Sequence, residues 1–286
     1  MYAITGVTGH AGGATAQELL ATGERVRAVV RDPAKGNDWS RNGADVAVAD
    51  FTDRAALTRA LSGSRGAFVM LPTVPTGADA DHRRLADSIA GAVGDSGVPH
   101  VVALSSIGAD LAEGTGPIRW LHHLENRLRD TGAVVTALRS PHFQEKVETV
   151  LGAATNAGVY PVFAESADIE TPMVATRDIA TAAARALLSP PSASEIVDLD
   201  APSYTERQVA ERLAAVLGKP LDVVTVPRAD WVGVLVDAGA PPVLAEELAA
   251  LYAAEHDGLP QPRGDRRHLC TTGIEHTLQQ VVQVAA

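Results

Sequence analysis

A doubly wound α/β fold, with helices covering both faces of a parallel sheet, is the architecture this sequence predicts. Three observations carry it. Short β-branched runs alternate with helix-length segments through the first half, a glycine-rich turn follows the first run, and the inner runs are continuously apolar.

The elements follow in order. Strands are expected over residues 2–5, 25–31, 44–50, 67–71, 100–105 and 134–139, each short, apolar and closed by a turn. Val101-Val102-Ala103-Leu104 shows no polar alternation, as a strand buried on both faces requires. Residues 11–21, 54–61 and 81–93 repeat small and aliphatic side chains at helical spacing, so they can cover the sheet. After Pro141 the segments become longer helices with two brief strand candidates, 196–199 and 223–226. Breaks fall at Pro190-Pro191, Pro241-Pro242 and Pro260-Gln261-Pro262.

The turn itself reads Gly6-Val7-Thr8-Gly9-His10-Ala11-Gly12, between the first strand and the first helix. In that context Gly6 permits a tight turn, Gly9 lets backbone approach a pyrophosphate, and Gly12 lets helix and strand pack closely. The helix N-terminus adds partial positive charge. The fold is therefore read as Rossmann-type. A dinucleotide-binding domain is expected over residues 1–150, and a smaller substrate-facing α/β lobe, partly interleaved with the main sheet, over 151–286.

The second strand ends on Arg31, a residue suited to pairing the 2′-phosphate of NADPH. Asp32 follows and keeps NADH as the alternative, since a carboxylate there can bind ribose hydroxyls. Asp50, ending the third strand before Phe51, can reach an adenine edge or cap the next helix.

Composition removes several partners. The net charge is −11, from 24 basic and 35 acidic residues, and no basic patch could follow a phosphate backbone, so nucleic acid is not expected. The opening Met1-Tyr2-Ala3-Ile4-Thr5-Gly6 lacks a leader pattern and no segment is long and apolar enough for a bilayer; a cytoplasmic protein is expected. Cys270 is the single cysteine, so neither an intrachain disulfide nor a thiolate cluster can form. His268, Cys270 and His276 lack a matching carboxylate, so no metal is expected; they are read as surface polar residues near a C-terminal helix.

Further motifs give the chain a resemblance to a known family. Val30-Arg31-Asp32-Pro33-Ala34-Lys35, Asp50-Phe51-Thr52-Asp53, Ser105-Ser106-Ile107-Gly108-Ala109-Asp110, the stretch from Glu125 to Arg139 and Arg177-Asp178-Ile179-Ala180 span nearly its whole length. It resembles the NmrA-like branch of the atypical short-chain dehydrogenase/reductases, especially their NADPH-dependent quinone oxidoreductases. The resemblance implies that Gly6, Thr8, Gly9, His10, Ala11, Gly12, Arg31 and Asp50 hold the cofactor, joined by Phe51 and Ser105. Leu71, Pro72 and Thr73 would line its nicotinamide side.

One expected device is missing. Such dehydrogenases use a tyrosine followed four residues later by lysine, whose ammonium lowers the phenol pKa. Residues four beyond Tyr2, Tyr160, Tyr204 and Tyr252 are Gly6, Ala164, Gln208 and His256, and alignment on Glu125 puts Pro117 and Leu121 at the pair's positions. On the same helix Ile118, Leu121, Leu124 and Leu128 form the buried stripe. His122 at its edge is read as the assisting catalytic acid, and His123 as facing solvent. Ser106, His142, Phe143 and Trp231 are the expected substrate-pocket residues, Phe143 as a stacking platform and Trp231 as lid or lobe core, while Lys146 is expected to be a solvated charge.

The function expected is NAD(P)H-dependent reduction of a quinone, enone or similar conjugated carbonyl by hydride transfer, since such acceptors tolerate the missing tyrosine. The alternative is a non-catalytic dinucleotide redox sensor that binds a regulatory protein. Whether the chain forms a homodimer is left open by the sequence.

Overall fold

The computed structural model describes residues 1–74 and 76–285. In chain order the first half runs β1 (Tyr2–Ile4), α1 (His10–Ala21), β2 (Val26–Val30), α2 (Asn37–Arg41), β3 (Asp45–Val48), α3 (Arg54–Leu61), β4 (Gly66–Met70), α4 (Asp79–Ser96), β5 (His100–Ser106), α5 (Ile118–Arg129) and β6 (Val134–Ser140). Then come β7 (His142–Phe143), α6 (Glu148–Ala157), β8 (Val159–Val162), β9 (Thr171–Val174), α7 (Thr176–Leu188), β10 (Glu195–Asp200), β11 (Ser203–Tyr204) and α8 (Glu206–Leu217). The chain closes with β12 (Asp222–Thr225), α9 (Trp231–Asp237), α10 (Pro242–His256), β13 (Arg266–Leu269) and α11 (Ile274–Ala285).

Eight parallel strands form the main sheet in the order β13-β10-β6-β5-β4-β1-β2-β3. The order reverses beside β1, which is the switch point of a doubly wound sheet. Each inner strand feeds two cores. On β1, Tyr2 and Ile4 enter the core beneath α1 and α7, and Ala3 enters the one beneath α3, α4 and α5. Small residues on α1 (Ala11, Gly12, Thr15, Ala16) and the alanine run Ala182 to Ala184 on α7 are buried, so these two helices approach closely on one face.

The expected strands are present, with the third shortened to Asp45–Val48 at the sheet edge. Of the two later candidates, β10 extends the main sheet beside β6, whereas β12 pairs with β8 in a separate ribbon. A third core gathers Leu151, Tyr160, Val162, Met173, Leu213, Ile274 and Leu278 in the C-terminal lobe, while α7, β10 and β13 return to the main sheet.

The segment read as surface polar residues, His268 to Cys270, is corrected: Arg266–Leu269 is the edge strand β13, and Cys270 is buried. An edge strand has one free side, so it tolerates the charges that hid it from a hydrophobic pattern. No helix among the described residues is long and apolar enough to cross a membrane.

Candidate functional site

The three glycines of the turn differ in what the fold demands of them. Gly6 has φ +64°, the left-handed region, and a Cβ on Gly12 would lie 2.4 Å from the Gly6 carbonyl oxygen. Both are demands of the fold. A Cβ on Gly9 would make only an ordinary 3.5 Å contact, so packing does not require glycine there. Gly9 is the N-cap of α1 and no side chain caps the helix, leaving its first-turn N–H groups for an anion. This cradle fits a pyrophosphate.

Thr8, Gly9 and His10 are exposed around it, and His10 Nε2 lies 3.1 Å from Glu148 Oε2 at the start of α6. Ala11 is buried beneath the turn. At the end of β2, Arg31 is exposed and has no side-chain hydrogen bond or ion pair among the described residues. Asp32 is engaged, its Oδ1 accepting from Ala34 N–H at 2.9 Å to cap the turn Pro33–Gly36. Asp32 is thus tied into a local turn while the Arg31 guanidinium is not. Asp50 Oδ1 accepts from the Thr52 hydroxyl at 2.6 Å and the Thr52 N–H at 2.8 Å; these bonds, with the charge of Arg31, hold its carboxyl below the ordinary 3.8 against the opposing effect of burial. Phe51 beside it packs on the core under α3 and α4.

A cavity of about 590 Å³ opens at the carboxyl ends of β4, β5, β6 and β10. Leu71, Pro72, Thr73, Ser105, Ser106, His142 and Phe143 all line it, so the structure brings together the residues expected on the nicotinamide side and in the substrate pocket. Pro117 and Leu121 stand in its wall, and none of the four tyrosines does. Apolar side chains at the positions of the usual pair close that route for a proton. The Leu71 to Thr73 loop is fixed by His82, whose Nε2 accepts from Val74 N–H at 3.1 Å while Nδ1 faces the Ala78 carbonyl at 2.9 Å. His82 is fully buried and stacks on Trp120 with ring centroids 3.4 Å apart; burial holds its pKa below 6.5 against the raising influence of the Ala78 carbonyl and nearby carboxylates.

Three expected residues take other places. His122 does not line the cavity. Its Nδ1 lies 2.9 Å from the Ala109 carbonyl oxygen and its Nε2 2.9 Å from Asn126 Nδ2, so both ring nitrogens are occupied in fastening α5. His123 does not face open solvent but sits 3.0 Å from Asp87 on α4. Trp231 does not line the cavity either; it is buried, 1% exposed, edge-on to Tyr252, its indole N–H donating to the Val226 carbonyl at 2.8 Å. The helical stripe explains the first two: it is wider than expected because Trp120 and Glu125 are buried on it.

Glu125 is buried for a reason that a hydrophobic pattern cannot show. It forms a bidentate pair with buried Arg139, at 2.9 and 2.8 Å, and accepts the Ser105 hydroxyl at 2.6 Å. The Ser105 side chain therefore braces the floor of the cavity. Gln144 does the same for the turn after Phe143, donating to the Met173 and Thr272 carbonyls and accepting from the Thr277 hydroxyl. Sequence reasoning missed Glu255 and Leu251 on α10 and Arg267 on β13, and read Lys146 as solvated; all four line the cavity. Of these, the Pro260-Gln261-Pro262 break was the only sequence signal nearby, and Gly258, Pro260, Gln261 and Pro262 do line it too.

Fold and turn together define a Rossmann-type dinucleotide-binding protein with a cavity at the carboxyl ends of β4, β5, β6 and β10. The NmrA-like family model matches residues 2–277, and the chain belongs to that family. It is 32% identical over 256 residues to Quinone oxidoreductase 2 of Escherichia coli (strain K12), covering 87% of this chain and 86% of that protein. It is 25% identical over 254 residues to the NAD(P)H azoreductase of Xenophilus azovorans, covering 88% and 86%. The crystal structure of the NADPH-dependent quinone oxidoreductase of Escherichia coli complexed with NADPH superposes with a TM-score of 0.75 at 24% identity, covering 99% of this chain and 100% of the other.

Proposed function

We propose that this NAD(P)H-dependent oxidoreductase uses NADPH to reduce a quinone, enone or similar conjugated carbonyl bound in the 590 Å³ cavity. The observation that carries the acceptor class is the wall itself. With Pro117 and Leu121 in place of a tyrosine and lysine, the site is ill suited to alcohols or unactivated ketones, whose alkoxides need a strong proton partner. A conjugated acceptor delocalises the charge it receives and needs less help.

In this reading the exposed turn at Gly9 and the first-turn N–H groups of α1 hold the pyrophosphate, and Arg31 meets the 2′-phosphate. Leu71, Pro72 and Thr73 orient the nicotinamide, which supplies the hydride when bound. Met70, Leu104, Ile118 and Leu121 exclude water from the reacting faces, and Phe143 gives a flat acceptor a surface to stack on. The redox-sensor alternative parts from this reading at turnover: a sensor binds NADPH without consuming it when an acceptor is added.

The test is a panel of benzoquinones, naphthoquinones, enones and simple ketones mixed with NADPH, followed by cofactor absorbance. Quinones or enones are expected to accelerate NADPH oxidation and simple ketones to leave it at background. Background rates with every quinone and enone would overturn the acceptor assignment.

A further inference from the structure

The cavity has a polar end. A second hollow, about 130 Å³, lies within the C-terminal lobe, and His142, Phe143, Lys146, Ile169, Thr171 and Glu255 line both spaces. Three of the six residues in this partition, His142, Lys146 and Glu255, are ionisable, beside Phe143 and Ile169.

Their geometry is specific. His142 Nδ1 lies 4.0 Å from Glu255 Oε1, within ion-pair range and beyond a hydrogen bond. That nitrogen is buried without a hydrogen-bond partner, and among the described residues no protein group bonds Nε2 either. Glu255 is exposed, with 35% of its side-chain surface open, and it lines both spaces. Burial pushes its carboxyl upward, but His142 and then Lys146 outweigh that and hold it below the ordinary 4.5, so it is ionised at neutral pH. Lys146 is half-buried with no ion pair or hydrogen bond among the described residues. Neighbouring groups are already engaged: Glu145 accepts from Thr176, Tyr160 donates to Glu206, and His256 pairs with Glu165. Strand β7, hydrogen-bonded beside Met173 and Val174 of β9, fixes the backbone that carries His142.

We propose that this partition is the proton-donating end of the acceptor site: His142 protonates the reduced acceptor, Lys146 holds its developing oxyanion, and Glu255 is the positioning residue for the imidazole. The proposal rests on the acceptor reading above. In its protonated form the ring turns Nδ1–H toward Glu255 and leaves Nε2–H for a ligand. The acceptor gains hydride at one end of its conjugated system and its π electrons move to the carbonyl oxygen. That oxygen then takes the proton from Nε2 as the N–H bond breaks. Hydride and proton together add two electrons and two hydrogens, and the neutral imidazole regains its proton from water.

The test separates charge recognition from turnover. NADP⁺-loaded protein is titrated calorimetrically with a hydroxynaphthoquinone that is an enolate at neutral pH, and with neutral menadione as control. His142→Gln and Lys146→Met should each weaken enolate binding about tenfold, as the loss of a charge-assisted hydrogen bond implies, and leave menadione within about twofold. In turnover with menadione, His142→Ala should lower kcat about tenfold to hundredfold with little change in KM, and added imidazole should restore part of it. Glu255→Gln should lower kcat without rescue by imidazole. Unchanged enolate affinity in both His142→Gln and Lys146→Met, or unchanged kcat in His142→Ala, overturns the proposal. If wild-type protein neither binds nor reduces menadione or any other quinone or enone, the acceptor reading falls as well; if menadione is reduced equally well without His142, only the proton route does.

Discussion

At the scale of single residues, Gly9 of the glycine turn and Arg31 just after strand β2 stand out because the fold has no use for what they are. Gly12 is required by a carbonyl 2.4 Å from where its Cβ would lie, but Gly9 is not crowded, and Arg31 has no protein partner among the described residues. Arg31→Ala should therefore leave thermal stability unchanged and weaken NADPH by about 1.5 kcal/mol, roughly tenfold, with NADH nearly unaffected. Calorimetric titration with both cofactors checks it, and equal losses for the two would remove Arg31 from the phosphate. The expected catalytic role of His122 rested on its place at the edge of a helical stripe. Helical pitch gives the direction of a side chain but not its partners, and here the Ala109 carbonyl and Asn126 take both nitrogens.

At the scale of elements, α10 is the roof that carries Leu251 and Glu255 to the cavity. It is fastened by a double ion pair from Arg119 on α5 to Glu247, with Arg119 NH2 2.7 Å from Oε1, and by backbone contact at Gly116, where a Cβ would lie 2.3 Å from the Glu247 carbonyl oxygen. Side-chain exposures of 21% and 17% make the pair more than a surface contact. Arg119→Ala should lower stability by about 1 to 3 kcal/mol and loosen the roof. Its signature is a raised KM for the acceptor with unchanged NADPH affinity, measured by steady-state kinetics and calorimetry. A matching loss of NADPH affinity would show that α10 organises the whole cleft rather than its acceptor side.

At the scale of the whole molecule, buried neutral histidines make stability depend on acidity. His82 braces the Leu71 to Thr73 loop, and His100, 3% exposed, lies 3.1 Å from the Thr136 hydroxyl; burial is the main cause lowering both from 6.5. The unfolded chain binds these protons more readily than the folded one. Their contribution is thus complete above about 6.5 and is lost as pH falls below it. Thermal midpoints measured by calorimetry should be level above about pH 7 and decline below about pH 6, before carboxylates titrate. His82→Gln combined with His100→Gln should flatten that decline; an unaltered slope would assign acid sensitivity to other groups. Over the same chain, periodicity and the glycine turn were enough to determine the parallel sheet and its first six strands, because short-range patterns express burial on both faces of a strand and the local geometry of a turn. The cavity was only half legible: Ser106, His142 and Phe143 lie at or just after strand ends, where such sheets place ligands. Glu255, Lys146 and the edge strand β13 were not, because nothing in their own neighbourhoods distinguishes them from solvated charge. Only the tertiary structure decides that α10 packs against α5 and sets a carboxylate 4.0 Å from His142, since that pairing joins residues 113 positions apart in the chain.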